Sequence, residues 1–225
     1  MSHSVRSHLS LEIDEYDASI RRWIPGYETM LTVAAEQVAD RGPHRVVDLG
    51  SGTGALSEAI LGHASVGHVE LLDVDPDMMA RARSRLEHFG SRVSFSLQSF
   101  DEPFAPCDAF TASLSLHHIP TIEEKARLFE RAFEALEPGG LLVNADCCMP
   151  AEAAAREGRY RHWAEHQMAH GISVEEAYEN FRSWAAEDTY LPLDDELAAL
   201  RAVGFSAERV WNDGPIGVVV AAKPS

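Results

Sequence analysis

Gly50, Gly52 and Gly54 alternate along a short stretch that directly follows an apolar run carrying Asp48. A glycine-rich turn between a strand and a helix exposes backbone N–H groups with no side chains in front of them, so a ligand can approach the main chain closely. Asp73 closes the next apolar run about 20 residues further on, where a carboxylate can accept hydrogen bonds from the two hydroxyls of a ribose. The glycine turn and the acid together predict a nucleoside-binding site.

Histidine is the side chain whose ordinary pKa best suits proton transfer near neutral pH, and the chain has 11 histidines. His117 and His118 follow an apolar run at a predicted strand end, where open α/β sheets bind ligands. Either ring is a candidate general base, and either could instead pack under the next helix. His162, His166 and His170 recur every fourth residue, which makes one stripe on a helix; the stripe could share a metal ion or simply face solvent, and we assign no metal.

The positions of these glycine, aspartate and histidine residues depend on an alternation of strands and helices. Five apolar or β-branched runs alternate with helical patterns over residues 55–63, 76–89 and 121–136, which predicts parallel strands joined by right-handed crossovers. The sheet should then be covered on both faces. Two final runs are separated by a turn signal and no helix, which predicts an antiparallel hairpin. The seven predicted strands lie near residues 44–50, 68–74, 93–100, 108–116, 139–148, 205–211 and 216–223.

Two helical segments accompany this core. Residues 11–40 read as two helices interrupted by Pro25 and Gly26. A long insert over 148–203 contains three helical stretches, near 151–169, 173–185 and 193–202. No internal repeat or linker divides the 225 residues, so we expect one domain over 1–225, with cap helices over 1–43 and a helical lid over 148–203.

Composition narrows the class of partner. The formal net charge of −17 would repel a phosphate backbone or an anionic membrane surface, so we expect neither nucleic acid nor membrane as a partner. The amino-terminal residues lack an apolar core, and the longest apolar run is far shorter than a membrane span. The cysteines are odd in number, which favours reduced, buried thiols in a cytoplasmic protein; a monomer and a homodimer both stay open.

The motifs resemble those of the class I S-adenosylmethionine-dependent methyltransferases. Residues 46–54 (VVDLGSGTG) are similar to the first motif of that family, residues 71–79 (LLDVDPDMM) to its second, and residues 133–143 to the segment that leads into its fifth strand. The terminal hairpin agrees with the antiparallel strand that closes the sheet in this family. The resemblance implies a Rossmann-like, doubly wound α/β fold with seven strands in the order 3-2-1-4-5-7-6.

The resemblance also implies a set of residues around S-adenosyl-L-methionine. Asp73 would hold the ribose hydroxyls, Val74 and Met78 would flank the adenine, and Tyr27 would close over the methionine moiety. Where the family usually has Gly-Asp this chain has Gln98-Ser99, which leaves Ser99 and the Phe100 backbone near the adenine amino group. The remaining predicted cofactor residues are Asp48, Gly50, Ser51, Gly52, Gly54 and Ser113.

The implied reaction is transfer of a methyl group to a small-molecule acceptor by in-line displacement, for which the protein mainly aligns the reactants and excludes water. Tyr160, His162, His166 and Arg182 of the insert are the predicted acceptor contacts. The leading helices are similar to those of carboxy-S-adenosylmethionine synthases, where an arginine in the insert meets the extra carboxylate of the modified cofactor. Arg182 could do the same, clamp an acceptor, or pair with Glu179 or Glu187. A cofactor-modifying enzyme of that kind and a catalytically idle cofactor-binding subunit are the alternative functions.

Overall fold

A computed structural model describes residues 13–225 of the chain and shows one seven-stranded sheet in the order β3-β2-β1-β4-β5-β7-β6. The first five strands pair in parallel, and β7 pairs antiparallel with both β5 and β6. This confirms the predicted fold class, strand order and hairpin. The strands are β1 Arg45–Leu49, β2 His68–Asp73, β3 Val93–Leu97, β4 Cys107–Ser113, β5 Leu136–Cys147, β6 Ser206–Asp213 and β7 Ile216–Ala222.

The helices fall where the apolar periodicity places them, and residues 1–12 of the predicted cap lie outside the described part of the chain. Short 3₁₀ segments cover Glu87–Arg92 and Leu116–His118. The helices are α1 Ile13–Trp23, α2 Tyr27–Ala39, α3 Ala55–Leu61, α4 Pro76–Leu86, α5 Ile122–Ala135, α6 Ala153–Ala169, α7 Val174–Trp184 and α8 Leu193–Val203.

Local chemistry sets several helix starts. Asp75 precedes α4, and its carboxylate accepts hydrogen bonds from the backbone N–H groups of Asp77 at 2.9 Å and Met78 at 3.3 Å. Thr121 caps α5 in the same way through the N–H of Glu124. Such caps satisfy backbone donors that have no partner inside the helix. The chain therefore leaves the carboxyl ends of β2 and β4 and enters helices at defined points.

Buried side chains form one cluster on each face of the sheet. One contains residues of α1, α2, α3, α4, α6 and α7, and the other contains residues of α5 and α8. The last helix of the insert thus packs on the opposite face from the first two, joined to α5 by the buried ion pair between Lys125 and Glu196. Within the insert, α6 and α7 are the helices that pack near α1. No helix within residues 13–225 has the length and apolar character needed to cross a membrane.

Candidate active site

The glycine turn brings bare backbone to the carboxyl end of β1. Gly50 has φ +61°, and a Cβ at this position would lie 2.6 Å from Cβ of Ser115. Ser115 is fixed there because its hydroxyl donates to the Leu49 carbonyl at 2.8 Å. Gly52 has φ +54°, and a Cβ there would meet no atom within 4 Å. Gly50 is therefore required by close packing, whereas Gly52 leaves open space against the main chain.

Asp73 closes β2 beside this turn. One carboxylate oxygen accepts from the Gly52 N–H at 2.7 Å, and the other accepts from the Asp75 N–H at 2.8 Å. Burial raises the pKa of Asp73 above its ordinary 3.8, although these two N–H groups oppose the rise. Each carboxylate oxygen has a further acceptor site, so Asp73 can hold the turn and bind a diol at the same time.

Asp48 lies beneath the turn and does not line the cavity described below. Its carboxylate accepts from the hydroxyls of Ser57 at 2.6 Å and Thr111 at 2.8 Å. Burial raises the pKa of Asp48 to about 6, against the opposing effect of the two hydroxyls. These two hydrogen bonds connect β1 to β4 and to α3, so Asp48 stabilises the turn without contacting the cavity.

A cavity of about 400 Å³ runs from the glycine turn to the end of β4. Ser51 lines it, is 8% exposed, and its hydroxyl has no hydrogen-bond partner within the described chain. Buried polar groups nearly always have partners, so an orphaned hydroxyl that faces a cavity indicates a missing ligand. Gly50, Ser51, Gly52 and Asp73 with the adjacent cavity wall are called the glycine end below.

The first helices roof the cavity. Tyr16, Ile20, Trp23 and Tyr27 of α1 and α2 all line it. Asp17 anchors this roof because its carboxylate accepts from the Thr53 hydroxyl at 2.7 Å and pairs with Arg85 of α4. Thr53 belongs to the glycine turn, so α1 is attached directly to it.

The opposite end of the cavity contains His117, at the point where β4 passes into a 3₁₀ turn. Asp146 at the end of β5 accepts from Nδ1 of His117 at 2.6 Å and from its backbone N–H at 2.9 Å. Burial would lower the pKa of His117, but the charge and hydrogen bond of Asp146 and the charge of Asp188 outweigh it and raise the pKa above 6.5. The same pair lowers the pKa of Asp146 in spite of its burial. His117 is thus held in one orientation by Asp146.

Asp188 approaches both histidines from the loop after α7. Its Oδ1 lies 3.2 Å from Nδ1 of His118 and 3.6 Å from Nε2 of His117, and its Oδ2 accepts from the Tyr190 hydroxyl at 2.7 Å. The Thr189 N–H donates to the His117 carbonyl at 2.8 Å, which fixes the loop. Burial, followed by the charge of His117, lowers the pKa of His118. His117, His118, Asp188 and Tyr190 with the neighbouring rings are called the histidine end below.

The two histidines and Asp188 each offer one ligand atom, and these atoms lie within 4.8 Å of one another. A metal ion could be held at that spacing. The same distances suit hydrogen-bonded pairs, and Asp146 and Tyr190 already orient His117 and Asp188. We assign no metal to this group.

Most predicted cofactor residues line this one cavity. Asp48 and Gly54 do not line it, and both lie behind the turn, where Gly54 approaches side chains of β2 and α4. His117 and His118 line it too. The predicted cofactor residues on the cavity wall are Tyr27, Gly50, Ser51, Gly52, Asp73, Val74, Met78, Ser99, Phe100 and Ser113.

The four predicted acceptor contacts of the insert do not line the cavity. Tyr160 packs among Trp163 and Phe181, and His162 lies 3.2 Å from Asp213. His166 contacts the Arg21 carbonyl at 3.2 Å, and the exposed Arg182 pairs with Glu179, one of the alternatives considered above. Substrate contact by these residues stays a prediction without support from the geometry.

The sequence reading missed several cavity residues. Asp188 and Tyr190 lie in an irregular segment where spacing carries no signal, and Tyr16 lies in the leading helices, where only Tyr27 was predicted to contact the cofactor. Asp146 does not line the cavity, but it binds His117, and it had a usable signal because β4 and β5 are neighbouring parallel strands whose carboxyl ends must meet at the same sheet edge.

Comparison with known proteins agrees with this architecture. A family described as a methyltransferase domain matches residues 46–140. The carboxy-S-adenosyl-L-methionine synthase of Chromohalobacter salexigens is 29% identical over 204 residues, which cover 85% of this chain and 73% of that protein. Two solved structures share the fold: an O-methyltransferase family protein from Burkholderia thailandensis (TM-score 0.70, 16% identity, 97% of this chain) and the methyltransferase SibL (TM-score 0.64, 22% identity, 89% of this chain).

This chain spans 61% of the Burkholderia protein and 56% of SibL. By its fold and its motifs the chain is similar to the class I S-adenosylmethionine-dependent methyltransferases, and residues 46–140 match a methyltransferase domain.

Proposed function

We propose that this protein binds S-adenosyl-L-methionine at the glycine end and transfers its methyl group to a small organic acceptor at the histidine end. The observation that carries the proposal is that one cavity joins three ligand-facing features to an oriented His–Asp pair. Those features are the open backbone at Gly52, the orphaned Ser51 hydroxyl and the Asp73 carboxylate.

When bound, S-adenosyl-L-methionine supplies a methyl carbon on a positively charged sulfur. The residues of this chain then have three tasks. The glycine end positions the nucleoside through Asp73 and the exposed backbone. The roof over the cavity, including Tyr27, excludes water.

The third task is to take a proton from the acceptor. His118 faces the cavity, and its lowered pKa keeps its ring neutral near pH 7, so it can accept a proton from an acceptor hydroxyl or amine. His117 holds its proton through Asp146 and stabilises the nearby Asp188 carboxylate. In this proposal His118 is the base, and protonated His117 holds the Asp188 carboxylate in place.

The similarity to carboxy-S-adenosyl-L-methionine synthases supports a second candidate, an enzyme that modifies the cofactor itself. A carboxylated sulfonium needs a cationic partner near the sulfur. Arg182 is exposed and paired with Glu179, so it supplies none in this structure. Mass spectrometry of the nucleoside that co-purifies with the protein separates the two: plain S-adenosylmethionine or S-adenosylhomocysteine supports methyl transfer, and a carboxylated form supports the second candidate.

The cofactor site is tested by calorimetry with S-adenosylhomocysteine and with NADH. We expect only the former to bind, and Asp73→Ala to weaken it by about 10- to 100-fold, the range for a lost hydrogen bond to a charged group. Asp77→Ala, which removes an exposed acid of the same helix start, is the control. Thermal unfolding shows whether each variant is folded. Unchanged affinity in folded Asp73→Ala, or tight binding of NADH, would refute the site.

Further features of the proposal rest on composition and burial. The net charge of −17 disfavours a nucleic acid as the substrate, and a small molecule fits a cavity of about 400 Å³. Cys107, Cys147 and Cys148 are free and buried, which is consistent with a reducing cytoplasm.

The oligomeric state is open between a monomer and a homodimer. The molar mass of the protein in solution, measured by light scattering, distinguishes the two.

A further inference from the structure

The histidine end is bounded by a continuous row of aromatic rings. Trp23 of α1 lies 5.5 Å from Trp184 by ring centroids, Trp184 lies 5.6 Å from Trp163, and Trp163 lies 5.6 Å from Tyr190. Tyr190 in turn lies 5.7 Å from His117. All five rings line the cavity. Trp23, Trp184, Trp163 and Tyr190 are called the aromatic wall below.

Negative charge lies at the end of this wall. The Asp188 side chain is 6% exposed and the Asp146 side chain 4%, and His117 lies between the two carboxylates. Tyr16 of the roof lines the same cavity. An acceptor bound against the wall therefore meets a carboxylate in a poorly hydrated site.

Positive side chains are confined to another part of the cavity. Among the described residues that line it, Arg127 and Arg131 of α5 are the only arginines or lysines. Arg131 donates to the Phe100 carbonyl at 2.9 Å, and Arg127 is 61% exposed and pairs with Glu124. Within the described lining, a carboxylate or phosphate on the acceptor would therefore find no arginine or lysine beside the aromatic wall.

We infer that the acceptor is an organic amine, bound as an ammonium against the aromatic wall with its charge toward Asp188. The inference rests on the methyl transfer proposed above and names its substrate class. The faces of tryptophan and tyrosine rings attract ammonium groups, and the attraction is stronger where water is excluded. A buried carboxylate adds a charge-assisted hydrogen bond. The chain's own negative charge favours the approach of such a cation.

Proton balance follows from the same groups. The bound ammonium first gives one proton to His118, which leaves a neutral nitrogen with a lone pair. That nitrogen forms a bond to the methyl carbon while the carbon–sulfur bond breaks and its electron pair stays on sulfur. The products are a methylated ammonium and a neutral thioether, and the proton leaves His118 to solvent after product release.

The test uses three probes of nearly the same shape: 2-phenylethylamine, 2-phenylethanol and phenylacetate, which are positive, neutral and negative at pH 7. Each is titrated into the full chain saturated with S-adenosylhomocysteine, with binding followed by the tryptophan fluorescence of the wall. We expect the amine to bind at least about 10-fold more tightly than the alcohol, and the acid most weakly. Asp188→Asn should reduce the preference for the amine to below about threefold while affinity for S-adenosylhomocysteine stays within about twofold. Asp195→Asn, the same charge change at an exposed site, should leave the preference intact.

Equal binding of the three probes, tighter binding of the acid, or no binding by any probe would overturn the inference. So would an amine preference that survives Asp188→Asn in a folded protein. Failure of S-adenosylhomocysteine to bind would instead overturn the proposed function, so the two failures are distinguishable. Transfer of a labelled methyl group to the amine nitrogen, detected by mass, would support both.

Discussion

The two ends of the cavity are built from different parts of the protein. The glycine end is made largely of backbone within two short stretches, 48–54 and 73–78, each fixed by a strand end and a helix start. The histidine end is made of side chains from α1, the 3₁₀ turn after β4, the end of β5, and the insert. A local motif specifies the first end, whereas the second exists only after distant segments have packed together.

This difference predicts how each end responds to substitution. The glycine end has few side chains to remove, so it is sensitive to added atoms. The histidine end consists of buried polar and aromatic groups, so it is sensitive to the loss of a partner. Variants can therefore be chosen that damage one end and leave the other intact.

The largest effect is expected from Asp146→Asn at the histidine end. The Asp146 carboxylate accepts three hydrogen bonds, from the His117 ring and from the backbone N–H groups of His117 and Cys147. Removing one charge of a buried pair costs about 3 kcal/mol or more of unfolding free energy. Chemical denaturation should show this loss, and affinity for S-adenosylhomocysteine should stay within about twofold if the ends are independent.

The pH dependence identifies the cause of that loss. The raised pKa of His117 gives stability that is present below its ordinary 6.5 and disappears as pH rises through the folded value. The lowered pKa of Asp146 gives stability that is present above its ordinary 3.8 and disappears as pH falls through the folded value. The difference in unfolding free energy between wild type and Asp146→Asn should thus be largest between the ordinary pKa of aspartate, 3.8, and the ordinary pKa of histidine, 6.5. A difference that is flat with pH would show that packing, not the ion pair, is responsible.

A smaller effect, at the other end, is expected from Gly50→Ala. The added Cβ would lie 2.6 Å from Cβ of Ser115 in a backbone conformation with φ +61°, so the turn must shift. We expect affinity for S-adenosylhomocysteine to fall by about 100-fold, equivalent to about 2.7 kcal/mol. Binding of 2-phenylethylamine without nucleoside should change little.

Gly42→Ala is the matched control for this prediction. Gly42 has φ +59°, but its nearest neighbour to an added Cβ is the Ser65 carbonyl at an ordinary 3.6 Å. The control therefore carries a similar conformational cost without the clash. Equal losses of nucleoside affinity in both variants would mean that the close approach at Gly50 has no part in the site.

The same contrast explains how much could be predicted from the sequence. The alternation of strands and helices, the hairpin and the glycine-end residues Gly50, Gly52 and Asp73 follow from signals in neighbouring residues, since turn, strand and helix start are consecutive. The strand order came from the family resemblance instead. His117 was also predictable as a candidate, because it ends a strand. Its partner Asp146 was recognisable only from the pairing of β4 with β5, and Asp188 follows no rule of spacing. Its position depends on how α7 ends and how the loop bonds to the His117 backbone.

The smallest effect tests whether the ends are fully separate, since α1 contacts both. Asp17 accepts from Thr53 of the glycine turn, and Trp23 of the same helix belongs to the aromatic wall and accepts a hydrogen bond from Trp163 at 2.5 Å. Asp17→Ala should therefore weaken both S-adenosylhomocysteine and 2-phenylethylamine by about fivefold, roughly 1 kcal/mol each, and speed nucleoside release in stopped-flow measurements. Glu28→Ala, which removes an exposed ion pair with Arg21, should change neither. Loss confined to the nucleoside would show that α1 transmits nothing between the ends, whereas parallel losses would make this helix the element through which binding at one end favours binding at the other.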